Sequence, residues 1–374
     1  ALLTKRLVKN TRDIVGKSAV IPIEVGLANG AGARGENAVL PTPLTGSYQD
    51  LSVDLKYYYG TLSMTGPAMR RSAKGDKGSF GRMVDLESKG LKRMLSLMLS
   101  HDLYKGHTLA VCGTTNAATL VVLDSKANME YFHVGMEVDI VATSGGAAIT
   151  NGSARTIAAI DKVNKTITLS GSDNVTTSSS HEVVRSGTFG KCVNGLEKIV
   201  STGDSLHGVD GGTYGVWNST VASSSGAFTL AKLQAHIDNV VIASGKYPTV
   251  ILSDFARQQK YWATLTANPR YITGSAEKLD GGFKTLEYSA GGAPIPWVAD
   301  RLCPMETIFT LHEPDLQVFS PGDWDWIDVG GSVWLPDIYG ATGKDVYKAV
   351  LFRDMELGCT SRISQGKMTG VTDS

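Results

Sequence analysis

Leu51, Val53, Leu55, Tyr57 and Tyr59 alternate with Ser52, Asp54, Lys56 and Tyr58, the period of two that marks a strand with one covered face. At a rise of about 3.3 Å per residue, the extended stretch from Tyr48 to Met64 measures roughly 55 Å if continuous, more than one small domain uses. Upstream, SAVIPIEVG at 18–26 is a second alternating, β-branched run, and a glycine-rich stretch reaching Pro43 separates the two. The pattern predicts a projecting hairpin arm. An arm of that length cannot bury its apolar face against its own body, so Leu51, Val53, Leu55, Tyr57 and Tyr59 are expected to contact another chain.

From Ser79 the period changes. Met83, Leu86, Gly90, Leu91, Met94, Leu95 and Met98 recur at three and four, predicting a helix over about 80–104, roughly 36 Å long. Short strand-like runs separated by Gly, Asn and Ser turns make 130–190 a β-rich insertion. Thr229 is a good N-cap for an amphipathic helix carrying Leu230, Leu233, Ile237, Val240 and Val241, and Gly245 stops it. A buried strand, TVILS, and a helix through Phe255 and Trp262 follow, so the middle of the chain reads as an α/β unit. At 42% apolar and 19% charged, the composition excludes disorder, and no run is long and apolar enough for a membrane span. The 42 glycines follow no Gly-X-Y period and imply turns.

Net charge is zero, with 36 basic and 36 acidic residues, but the signs are segregated. Residues 1–17 hold Lys5, Arg6, Lys9, Arg12 and Lys17 against Asp13. Arg70 to Arg82 is a second basic stretch, and acids dominate 300–345. Complementary patches of this kind steer docking between copies. Cys112, Cys192, Cys303 and Cys359 form no CxxC pair, which fits a reducing compartment better than a zinc knuckle or a disulfide scaffold. No apolar core of a secretory signal shows at the start.

The catalytic motifs fail on chemistry. Gly30, Gly32 and Gly35 spell G-x-G-x-x-G, with Asp54 about twenty residues on, as a dinucleotide site would. Yet Pro41 and Pro43 follow at once and no helical period supplies the N-terminus that would hold a pyrophosphate. A glycine-rich tip is the better reading, and a dinucleotide-dependent oxidoreductase is kept only as the alternative from another class. Asp323, Asp325 and Asp328 approach calcium-loop spacing, but Ile327 and Trp334 stand where ligands belong. The seven histidines form no HxxxH pair and no G-x-S-x-G accompanies them. The residues indicate no enzyme and no cofactor.

The order of elements is more telling: basic arm, strand, glycine-rich tip with GENAVLP, return strand with DLKYYYG, long helix, HDLYKGHTLAV, α/β unit and terminal FRDMELG. In that order the chain resembles a tailed-bacteriophage major capsid protein of the Hong Kong 97 type over nearly its whole length, the β insertion apart. HDLYKGHTLAV departs from the family's turn after the helix, with Lys105, Gly106 and His107 where Gly-Asp-Gly is usual. The resemblance implies an α+β fold: an N-terminal arm (1–17), an extended β-hairpin loop (18–66), and a peripheral domain with the spine helix (67–129). The β-rich insertion (130–190), an α/β axial domain (191–344) and a return to the peripheral domain (345–374) complete it. It implies self-assembly as pentamers and hexamers around non-specifically held double-stranded DNA, with portal, scaffold and decoration proteins as partners, no membrane, and assembly in a host bacterial cytoplasm into a virion. Lys5, Arg6, Lys9 and Arg12 are then expected to face inward or to meet another subunit's acidic 300–345 surface. An encapsulin-like compartment is the alternative within the fold. Some family members weld subunits through a Lys–Asn isopeptide bond. Here Leu40 stands before Pro41 where the lysine would be, and 345–374 holds no asparagine, which implies a non-covalent shell.

Overall fold

The computed structural model describes residues 3, 6–11, 13–27, 30–68, 77–113, 116–267, 286–290, 294–336 and 345–372, without the side chains of 77–83, 116–117 and 266–267. It is a mixed α/β chain in which strands predominate.

The first sheet is organised by one long strand, Val346–Cys359. Along one edge it pairs antiparallel with Lys56–Thr65, from Val346 opposite Thr65 to Met355 opposite Lys56. Its C-terminal part pairs with Leu316–Phe319, which takes Val8–Asn10 as a parallel neighbour. The helix Lys77–Lys105 packs against this ribbon and is about 44 Å long. Gly60 makes the approach possible, since a Cβ there would sit 2.7 Å from a Leu95 methyl. The buried line of the helix is Leu95, Leu99 and Leu103. Of the predicted stripe, Leu91, Met94 and Met98 are half-buried, whereas Leu86 and Gly90 are exposed and Met83 lies outside the described side chains.

The second sheet has strands at 108–111, 181–185, 137–142, 155–161, 166–169 and 120–122, in that spatial order. The β-rich unit thus begins before residue 130: the strand leaving the long helix is one of its edges. The third sheet runs 220–222, 366–369, 307–311, 250–253, 294–299 and 286–289. Its inner strand Val250–Ser253 is wholly buried. Helix Leu230–Ser244 lies against the 220–222 and 366–369 strands of this sheet, with the Thr229 hydroxyl accepting the Lys232 N–H and Gly245 leaving at φ 69°, as its caps predict.

Two expectations need correction. The stretch from Tyr48 to Met64 is not one strand: it breaks at Leu55 into Ser47–Asp54, paired with Ser18–Gly26, and Lys56–Thr65. Nor does 345–374 return whole to the long-helix unit. After Cys359 the chain crosses over, and Gly366–Thr369 lies between 220–222 and 307–311 in the α/β sheet.

Candidate inter-subunit surfaces

The N-terminal segment finds its acidic partners within its own chain. Arg6 makes a bidentate pair with Glu313, at 2.6 and 3.0 Å, and Lys9 reaches Asp323 at 2.7 Å. Leu3 and Leu7 are buried beside them, and Val8–Asn10 adds its parallel ladder. Asp323 also faces Arg353, and both cations hold its carboxyl below the usual range, the Lys9 hydrogen bond contributing most. Arg6 and Lys9 were expected to face inward or to meet another subunit's acidic surface; their contacts with the 300–345 segment lie within the chain. Lys5 and Arg12 lie outside the described residues.

The arm is the antiparallel pair Ser18–Gly26 and Ser47–Asp54, with Ala19 opposite Val53 and Ile21 opposite Leu51. Its root has cover from its own chain, contrary to the expectation. Leu51 and Val53 are fully buried and Leu55 nearly so, in one cluster with Leu206, Val209, Phe319 and Leu357. A hairpin at 205–210 crosses the root, and the His207 carbonyl accepts the Ser52 N–H at 2.9 Å. Beyond the root the cover ends. Residues 31–40 are all exposed, and Val39 and Leu40 expose 87% and 80% of their surface. No helix follows the GAGARG glycines within 36–46, so the element that would hold a pyrophosphate is missing.

At Leu55 the alternation changes phase. Tyr58, Gly60, Leu62 and Met64 turn inward, whereas Tyr57 and Tyr59 point out, at 48% and 58% exposure. Opposite Tyr59 stands half-buried Phe352, and opposite Thr61 half-buried Val350. The outer face of this ribbon therefore carries an exposed aromatic strip.

Inward, Tyr58 leads to a polar junction that periodicity did not reveal. Asp102, wholly buried, accepts hydrogen bonds from His101 Nδ1 at 2.7 Å, Arg185 at 2.9 Å and the Tyr58 hydroxyl at 3.0 Å. Burial would raise its carboxyl, but the His101 bond and the Arg185 charge outweigh that and hold it below the ordinary range. The Tyr58 oxygen in turn accepts the Val193 N–H. One carboxylate thus ties the ribbon, the long helix, the β-rich unit and the 190–195 turn.

Next to this junction a cavity of about 710 Å³ opens between the arm root, the end of the long helix and the 190–208 segment. Glu356 forms part of its wall. That side chain is fully buried; Oε1 accepts the N–H groups of Asn194 and Leu357 at 2.7 and 2.9 Å, and Oε2 has no partner. Burial pushes its carboxyl up to about 8, against the pull of those two N–H groups. Among the described residues no group of His, Cys, Asp and Glu side chains is placed to hold a metal ion, and no helix is long and apolar enough to cross a membrane.

No family model matches the chain, and no curated protein does. Among solved structures it is similar to the capsid asymmetric unit of cyanophage A-1(L), at 15% identity and a TM-score of 0.57, covering 98% of this chain and 90% of that one. The chain has a phage capsid-protein fold. The capsid of a native GTA particle is also similar, at 8% identity and a TM-score of 0.51 over 99% of this chain and 90% of that one. With identities this low, the likeness is one of backbone architecture.

Proposed function

We propose that this chain is a major capsid protein of the Hong Kong 97 type, a structural subunit that assembles as pentamers and hexamers into an icosahedral shell around double-stranded DNA. The observation that carries the reading is the arm. Its root is fastened to its own body and its apolar tip, with Val39 and Leu40, is bare. An exposed apolar tip on a projecting extension has a use when a second copy covers it. In this reading the long helix and the 346–359 ribbon form the peripheral part, the third sheet the axial part, and Tyr57 and Tyr59 contact a neighbour. Leu51, Val53 and Leu55 instead fasten the arm to its own subunit. Arg6 and Lys9, already paired, serve to dock the N-terminal segment, and DNA contact falls to other cations.

The shell is non-covalent in this proposal. Exposed Leu40 carries no nucleophile, and no asparagine lies between 345 and 374. Electron microscopy of the purified assembly, with a denaturing gel and a nuclease-protected DNA assay, tests all of this. Icosahedral particles that hold DNA and dissociate on boiling into a single band at the mass of one subunit are expected. A ladder of covalent oligomers that resists reductant would refute the non-covalent shell, and particles holding a cargo enzyme and no DNA would favour the encapsulin-like alternative. Purified protein that stays monomeric would overturn the shell reading altogether.

A further inference from the structure

Arg6 and Lys9 are neutralised by acids of their own chain, whereas three cations of the long helix are not. Lys89, Lys92 and Arg93 are exposed, and among the described residues no carboxylate pairs with them. The acids of the neighbouring turns, Asp85 and Glu87, are exposed as well and make no ion pair with them. Lys89 and Arg93 stand one turn apart, a like-charge spacing that destabilises a helix on its own. Ser96 and Ser100 continue the same line one and two turns on, so the positive stripe runs into small hydroxyl side chains.

At that end the helix borders a cleft of about 410 Å³. Arg93 and Ser96 line it from the helix and Arg301 from the turn that leads into the 307–311 strand, with Leu97 and Leu302 beside them. That turn is fixed by its backbone: the Arg301 carbonyl accepts the Asn128 amide at 2.8 Å, and the Leu302 carbonyl accepts the Tyr131 hydroxyl at 2.5 Å. The acid of the cleft is Glu130. It is answered by Lys162 at 2.7 Å and Arg301 at 3.8 Å, and the Lys162 hydrogen bond above all holds its carboxyl below the ordinary range. Arg93, Arg301 and Lys162 against one carboxylate leave the cleft with an excess of two positive charges.

We propose that this cleft, with the helix stripe that leads to it, binds the phosphate backbone of duplex DNA. The proposal rests on the shell reading and supplies the cations that Arg6 and Lys9 do not. Two guanidinium groups offer N–H forks to phosphate oxygens, and the Ser96 hydroxyl is a further donor. No aromatic ring lines the cleft, so bases have nothing to stack on and the contact is with phosphates, without sequence preference. Lys89 extends the positive line by about 6 Å along the helix axis, which suits a polyanion better than a single small anion.

Fluorescence anisotropy of a labelled duplex of mixed sequence, titrated with unassembled full-length subunits between about 50 and 200 mM salt, reads the contact. Each phosphate contact adds about 0.9 to the slope of log affinity against log salt. Arg93→Gln with Arg301→Gln should therefore lower the slope by about 1.8 and weaken low-salt binding by about tenfold or more. Arg93→Lys with Arg301→Lys keeps both charges and should keep the slope. Lys9→Gln removes a lysine that is already paired and should leave it unchanged. Both arginines are exposed, so the melting temperature of each variant should match wild type. Wild-type binding without salt dependence, a wild-type slope in the double Gln variant, or an equal drop in Lys9→Gln would overturn the proposal. Displacement of the duplex by inorganic phosphate at matched ionic strength, or arginine-dependent binding of polyglutamate in preference to the duplex, would overturn it too. Particles that hold DNA while the double Gln variant binds like wild type refute this site alone. A subunit that never forms particles, yet loses duplex binding with the two arginines, refutes the shell reading alone.

Discussion

Replacing Asp102 by alanine probes the polar junction at its centre. Asp102 is fully buried and its carboxylate answers three donors, on His101, Arg185 and Tyr58. Arg185 already has one buried nitrogen, Nε, without a partner. Without Asp102 its guanidinium would be left as an uncompensated charge in the interior. Removing one member of a buried pair costs about 3–5 kcal/mol, a large part of the roughly 5–15 kcal/mol that holds a domain together. Tyr58→Phe removes one charge-assisted hydrogen bond and strands the Val193 N–H, so it should cost less, about 1.5–3 kcal/mol. Asp102→Leu combined with Arg185→Met removes both charges and should recover part of the loss, because the penalty lies in the unpaired cation and not in the missing bond. Urea denaturation of the full chain, followed by tryptophan fluorescence, measures all three. If Asp102→Ala costs under about 1 kcal/mol, the carboxylate is not the paired anion described and the argument fails.

Acid should weaken the α/β unit through His236, which is buried against the Thr310 hydroxyl and whose ring burial lowers to about 4. The neutral ring is stable above the ordinary histidine range, so stability is lost as pH falls from about 6.5 toward 4, by up to about 3 kcal/mol. Melting temperatures of wild type and His236→Gln should converge in acid, and parallel pH profiles would count against this. Deleting 31–42, the exposed tip, should leave the melting temperature within a few degrees of wild type and abolish particles in a sedimentation assay; intact particles would sink the arm's assembly role. A charge at Leu51 or Val53, by contrast, should unfold the subunit itself, since both side chains lie wholly within its core.

The elements whose cause is local were legible. Thr229 and Gly245 bounded their helix because a cap is a property of neighbours in sequence, and the 18–54 hairpin showed in its two alternating runs. The phase change at Leu55 was also present, since Leu62 and Met64 are apolar at even positions between Thr61, Ser63 and Thr65. Three consecutive tyrosines hid it, because each suits either face of a strand. What covers Leu51 could not be seen, as its partners Leu206, Phe319 and Leu357 arrive from distant segments. The Arg6–Glu313 pair spans 307 positions, and charge segregation read along the sequence pointed to a contact between copies, because it carries no information on which distant segments one chain brings together. Glu356 looked like one more carboxylate in a strand. Its distinction is the backbone of residue 194 on one oxygen and a buried, unpartnered oxygen at the other, and no pattern of types encodes that.

The segment 346–369 has a further consequence, for biosynthesis. It supplies the long strand of the first sheet and then an inner strand of the third, so neither sheet can close until residues far along the chain have left the ribosome. Nascent chains carry the arm and its bare apolar tip well before that point, but without the ribbon on which the arm root and the long helix are seated. In the proposed shell, translation order then acts as a timer: the arm root gains its seat only after the 346–359 strand has been made, which delays contacts between polysome-bound chains.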